Sequence, residues 1–130
     1  SFVEAVAEKT HNLGSDALVL ALTASANAPV NTNTQLTNLT QISYTNLSSR
    51  AITTSSSSQT SGTYKLVLAD VVLTASGGAV AAFRYVVIYN DTATNDELIG
   101  WYDYGSDLTL QNGESLTVDF DGTNGVLQIA

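Results

Sequence analysis

Histidine is the side chain most often used to move a proton near neutral pH, and this chain has one, His11, in the stretch Lys-Thr-His-Asn-Leu-Gly. A hydrolytic triad would need that imidazole beside an activated serine, yet no Gly-x-Ser-x-Gly turn occurs in the sequence. Packing or local bonding is the stronger expectation for His11. A transition-metal site is poorly served by one histidine and no cysteine. Calcium is better served: Asp119-Phe120-Asp121-Gly122-Thr123-Asn124-Gly125 places oxygen ligands at alternate positions. An EF-hand loop needs a third ligand in register and a Glu at its twelfth position, which this stretch lacks, so a tight turn is the stronger reading. Asp119 and Asp121 are the first ligands to test if a metal binds. Paired carboxylates can hydrolyse glycosides, but the acids here sit in no distinctive motif, and no glycine-rich phosphate loop is present. The expectation is a protein that is not an enzyme and needs no cofactor or metal.

Aromatic residues offer a second kind of chemistry. Six of them lie between Phe83 and Gly105, interleaved with Asp91, Asp96, Glu97 and Asp103. Trp101, with Tyr102 and Tyr104, could stack on a sugar, or anchor a protein interface. The spacing has a simpler explanation. Phe83, Tyr85, Val87 and Tyr89 alternate with Arg84, Val86, Ile88 and Asn90, the period of a strand. Leu98, Gly100, Tyr102 and Tyr104 alternate with Ile99, Trp101 and Asp103. Two such strands about a polar loop form an antiparallel hairpin, in which aromatic cross-strand pairs contribute about 0.2–1 kcal/mol each. Asp and Asn fit the loop because their side chains bond nearby amides.

The elements that must position these groups are mostly strands. Asp16–Thr23 is apolar on both faces and reads as a central strand. Residues 24–49 form a polar connection in which Leu36, Leu39 and Ile42 mark one helical turn, capped by Thr34. The serine run within 50–62 is either a loop or a polar edge strand. Strands are expected over Thr63–Ala75, Val80–Asn90, Glu97–Tyr104, Leu108–Leu110, Ser115–Phe120 and Val126–Ile129. Asn112-Gly113 is a hairpin signal. Many short strands separated by turns, with no alternating helices, point to an all-β fold. We expect a single antiparallel β-sandwich or jelly-roll-like barrel over 15–130, with a core drawn from Leu18, Leu20, Leu22, Leu66, Leu68, Tyr85, Val87, Leu98, Leu116, Val118 and Phe120. Residues 1–14 fit an extended N-terminal arm or a short amphipathic helix carrying Phe2, Val3 and Val6 on one side. Glu4 and Glu8 add like-charge repulsion to the helix.

Composition narrows the partners. At 130 residues the chain suits one domain. Its net charge is −8, with a pI near 4.1 and only Lys9, Arg50, Lys65 and Arg84 as cations. A nucleic-acid binder needs clustered cations, and an anionic membrane surface would repel this chain. No apolar run approaches the roughly 20 residues of a membrane helix, and no signal peptide is visible. Asn38-Leu39-Thr40, Asn46-Leu47-Ser48 and Asn90-Asp91-Thr92 match the glycosylation pattern, as expected by chance in a Thr- and Asn-rich chain.

Four stretches carry a resemblance: KTHNLGSDALVLALTASANAP, SSSSQTSGTYKLVLADVVLTASGG, FRYVVIYNDT and LIGWYDYGSDLTLQNGESLTVDF. Together they resemble a small protein encoded among the virion genes of tailed bacteriophages, over most of the chain and in the same order. Residues 24–58 depart most from the pattern. The resemblance implies a virion structural component, most specifically a capsid decoration (cement) protein on the outer capsid surface, made in the bacterial host cytoplasm. The implied partner is the major capsid protein, and a symmetric homo-oligomer such as a trimer would suit the role. In that setting Phe2, Val3 and Val6 are the expected interface anchors. A tail or baseplate structural protein is the alternative reading, and a carbohydrate-binding module using Trp101 a further one. No catalytic residue is carried over.

Overall fold

A computed structural model describes residues 2–130. A short helix α1 (Phe2–Ala7) precedes nine strands: β1 (Leu18–Thr23), β2 (Ala51–Ile52), β3 (Thr54–Thr60), β4 (Thr63–Leu68), β5 (Val71–Thr74), β6 (Phe83–Asn90), β7 (Leu98–Leu108), β8 (Ser115–Val118) and β9 (Leu127–Ile129). A four-stranded sheet in the order β2-β1-β6-β7 packs against a three-stranded sheet, β3-β4-β9, and a two-stranded one, β5-β8. All the strand ladders are antiparallel. The fold is an all-β sandwich.

Alternation explains why β1 is central. Leu18, Leu20 and Leu22 face the interlayer core, where they meet Leu66 and Leu68 of β4, Leu73 of β5, Phe83, Val86 and Ile88 of β6, and Phe120. Ala21 points to the opposite face, with Val87, Tyr89 and Leu98, and Leu36 and Leu39 of the long connection pack over them. The connection therefore covers a second, smaller core on the outside of the sheet. Of the expected core, Tyr85, Leu116 and Val118 are only half-buried, and Val87 and Leu98 belong to the outer cluster.

Two irregularities change the expected faces of the hairpin. Pairing jumps from Phe83↔Leu108 to Tyr85↔Asp103, so extra β7 residues bulge out between them. It jumps again between Ile88↔Gly100 and Tyr89↔Leu98. A bulge inserts unpaired residues and switches which side a strand presents. Phe83 thus enters the interlayer core whereas Val87 and Tyr89 do not. Leu98 falls on the same side as Trp101, the partner of Val87, instead of alternating with it.

Other expectations are refined. Thr63–Ala75 is not one strand: it breaks at Ala69-Asp70, and its halves join different sheets. Asp70 marks that crossing by accepting the Phe120 amide at 2.9 Å. The serine run is the edge strand β3, joined to β4 by a turn with Ser61 and Gly62 at φ +50° and +84°, the conformation a two-residue hairpin needs. Asn112-Gly113 does form a turn, closed by the Glu114 amide on the Gln111 carbonyl at 2.9 Å. It does not join two paired strands, because β8 pairs with β5 and Leu110 pairs with Val80. The helical turn of the connection is a 3₁₀ turn at Leu36–Asn38. Asn38, not Thr34, caps it: its side-chain oxygen accepts the Thr34 and Gln35 amides at 2.9 and 3.0 Å.

Of the two readings of the N-terminus, residues 2–7 are helical. The helix ends without glycine. Lys9 takes φ +66°, and the Thr10 amide reaches back to the Ala5 carbonyl at 2.8 Å, the double-reversal closure common at helix C-termini.

Candidate functional site

His11 is buried, 7 % exposed, and bonded within the fold. The Asn90 side-chain carbonyl accepts the Thr92 and Ala93 amides at 3.0 and 3.1 Å. That fixes the Asn90 amide nitrogen toward His11 Nδ1 at 2.9 Å and Asp16 Oδ2 at 2.6 Å. Nδ1 must then accept, so the ring is neutral with its proton on Nε2. Nε2 finds no partner among the described residues. Burial pushes the His11 pKa below its ordinary value, against the opposite pull of Glu97 and Asp16. Phe2 lies against the imidazole with ring centroids 5.4 Å apart. The group stitches the N-terminal segment to the end of β6, with the Thr92 hydroxyl accepting the Ala17 amide at 2.8 Å. Asn90, fully buried, is also no place for a glycan.

Asp121 spends its oxygens on its own turn. Oδ1 accepts the Thr123 and Asn124 amides at 2.8 and 2.7 Å, and Oδ2 accepts the Asn124 side chain at 2.9 Å. The Asn124 bonds hold its carboxyl below the usual range. The turn is fixed further by Gly125 at φ +79°, where a Cβ would collide with the Leu66 carbonyl oxygen. Among the described residues no group of three His, Cys, Asp or Glu is placed to hold a metal ion. Asp119 lies elsewhere in function: it borders a hollow between β7 and β8.

That hollow lies at an open edge of the sandwich. β7 is an edge strand of the four-stranded sheet, and β8 an edge strand of the smaller one. Past Leu98, β7 has no strand on its outer side; the bridge Gln35↔Glu97 is its last pairing there among the described residues. Every residue from Trp101 to Asp107 is exposed, with Trp101 at 37 %, Tyr102 at 47 % and Tyr104 at 54 %. Between β7 and β8 lies a cavity of about 260 Å³, lined by Val86, Tyr102, Tyr104, Leu116 and Val118 together with the carboxylates Asp103 and Asp119. Tyr102 leans on Phe120 at 6.2 Å between ring centroids, and its partial burial raises the phenol pKa. Asp103, which also lines the hollow, holds Arg84 through two bonds of 2.8 and 3.0 Å. That pairing, with the Gly105 amide, lowers the Asp103 pKa.

The three aromatics singled out in the sequence therefore do not form one platform. Trp101 pairs with Val87 and Tyr102 with Val86, on opposite faces of the sheet. Trp101 and Tyr102 nonetheless both border a second, mostly apolar hollow of about 300 Å³ with Phe2, Ile99 and Leu127. The expected anchors at the N-terminus divide: Val3 is 75 % exposed, whereas Phe2 is half-buried against the core and Val6 is half-buried. Sequence reasoning missed Asn90 and Asp16 as partners of His11; the only trace was a polar Asn-Asp-Thr ending an apolar strand. It also missed Leu116 and Val118 as walls of an open hollow, because half-burial at an edge has the same alternation as full burial.

No helix among the described residues is long and apolar enough to cross a membrane. Comparisons with family models, curated proteins and solved structures gave no match.

Proposed function

We propose that this chain is a noncatalytic virion structural protein that decorates and stabilises a tailed-phage capsid by binding at subunit junctions. The carrying observation is the exposed aromatic edge strand: Trp101, Tyr102 and Tyr104 stand in solvent on β7 of an otherwise layered β body. Aromatic residues on a rigid frame anchor protein interfaces. A large exposed apolar strip on a monomer marks a binding surface. Val3, on the outer side of α1, adds a second contact point near the same strand. The likeness of the four sequence stretches to a virion protein supplies the setting, and the major capsid protein is the partner. Assembly as a homo-oligomer multiplies each weak contact through avidity.

Gold-labelled antibody on purified particles tests the reading. Label over the head supports it, label on the tail moves the protein to the tail or baseplate, and absence from particles refutes it. Removing residues 1–10 should lower head occupancy while leaving the β-sheet circular dichroism intact. Equal occupancy would take the N-terminal segment out of the interface.

A further inference from the structure

The open flank has a shape and charge pattern that specify what it takes. We propose that the gap between β7 and β8 accepts an extended segment of a partner protein, added as a strand along β7, that carries both apolar and cationic side chains. This rests on the reading above, since it names the surface by which an assembly part would hold its partner.

The two edges are the first part of the argument. β7 and β8 each pair on one side only, and they face each other across the hollow of about 260 Å³. Elsewhere natural proteins shorten, cover or charge a bare edge, because its unpaired backbone amides and carbonyls bind other strands. Here β7 bulges between Asp103 and Leu108, but its stretch from Gly100 to Asp103 is regularly paired with β6 and has no strand on its outer side. An added strand supplies main-chain hydrogen bonds, and its alternate side chains decide specificity.

The faces supply the second part. Side chains of an added strand on the inner face would enter the hollow beside Tyr102, Leu116 and Val118, where apolar groups are favoured. The same hollow is lined by the tyrosines Tyr102 and Tyr104 and by the carboxylate of Asp103. Aromatic rings and a carboxylate in one hollow favour a cation. Asp119 adds a carboxylate at the mouth of the hollow, with no ion pair among the described residues. Arg84 is the one nearby cation, and it is already paired with Asp103. A second copy of this chain would bring another net −8 and another acidic rim to the same edge, so charge complementarity selects a basic partner over self-pairing.

The test uses the full chain and a synthetic peptide of alternating lysine and valine, about ten residues long, with a glutamate–valine peptide as control. The expected result is saturable binding of the lysine peptide in low salt, with amide hydrogen exchange slowed at residues 99–103. Asp103→Asn with Asp119→Asn should weaken it about tenfold, and circular dichroism on each variant checks that it is folded. Protection of some other segment, equal binding of the two peptides, or no binding would overturn the proposal. So would concentration-dependent protection of β7 without peptide, which would assign the edge to a second copy. A chain present in particles that fails this test loses the docking surface alone; one that binds the peptide but is absent from particles loses the assembly role alone.

Discussion

Along β1 the outer edge of the central sheet is fully engaged, whereas along most of β7 it is bare. On the β1 side, Leu18 and Val19 pair with Ile52 and Ala51 of β2. Beyond that short ladder an irregular segment takes over. The Leu20 amide donates to the Arg50 carbonyl at 2.9 Å, and the Ile42 amide to the Leu22 carbonyl at 3.0 Å. The Leu22 amide donates to the Tyr44 hydroxyl at 3.0 Å, which in turn donates to Gln41 at 2.6 Å. The Arg50 guanidinium donates to the Leu20 carbonyl and lies over the Tyr44 ring at 3.6 Å. On the β7 side no comparable set of bonds exists past Leu98 among the described residues. The same sheet therefore has one flank closed by hydrogen bonds and one largely without them among the described residues.

The comparison is broken most sharply by truncating one core leucine at each flank. Leu20 is completely buried, whereas Leu116 is half-buried beside the hollow. Leu20→Ala should cost about 2–5 kcal/mol, because the cavity it leaves adds to the lost transfer energy. Leu116→Ala, already open to water on one side, should cost clearly less. Urea unfolding of both variants decides the matter, and equal losses would mean the β8 flank is as closed as the β1 flank.

Hydroxyl deletion repeats the contrast at smaller scale. Tyr44→Phe strands the buried Leu22 amide without an acceptor, a loss of about 1–3 kcal/mol. Tyr104→Phe removes a hydroxyl from an exposed ring and should change stability by less than about 0.5 kcal/mol. Thermal melts of the pair would show it. A Tyr44→Phe protein as stable as its parent would mean water replaces the lost acceptor and the β1 edge is less closed than its bonds imply.

What the sequence disclosed follows from the same division. Period-two alternation made β1, the β6–β7 hairpin and the layered class readable, because burial on a pleated strand writes itself every second residue. Three things were not readable. Bulges shifted the faces of β6 and β7, and no residue type announces a bulge as Asn-Gly announces a turn. The two-sheet split at Ala69-Asp70 looked like one continuous strand, since apolar pattern does not record which sheet a strand joins. The capping of α1 by Lys9 in a left-handed conformation lacks the glycine that usually signals it. Of the candidate surface, Trp101 was legible as an exposed aromatic; the opening beside Tyr102 was not, since it depends on which strand fails to have a neighbour.

His11 sits at the end of β6 beside Asn90, against Phe2 and within the field of Glu97. Its pKa is lower in the fold than its ordinary 6.5. The unfolded chain therefore takes up the proton first as pH falls. The stability that depends on a neutral ring is complete above about 6.5 and is lost as pH falls through the folded value. His11→Gln keeps an acceptor for Asn90 but cannot be protonated. Chemical denaturation from about pH 7 to 5 should show a steeper decline for the parent than for His11→Gln. Parallel curves would mean that the ring gains a proton in the fold as readily as in the unfolded chain.

The smallest effect on folding is expected at the open flank itself, from Asp103→Asn. The Arg84–Asp103 pair has good two-bond geometry, but both partners stand in solvent, where water and salt screen their attraction and ordering two long side chains offsets it. The asparagine oxygen can still accept the Gly105 amide that Asp103 now holds at 2.8 Å, so the local bend of β7 survives. The melting temperature should not move measurably, in low or high salt. If the pair is instead needed for folding, the melting temperature falls and the fall shrinks as salt rises. That outcome would place the charge of β7 in the service of the fold, whereas an unchanged melting temperature leaves the carboxylate free to be understood by what it attracts.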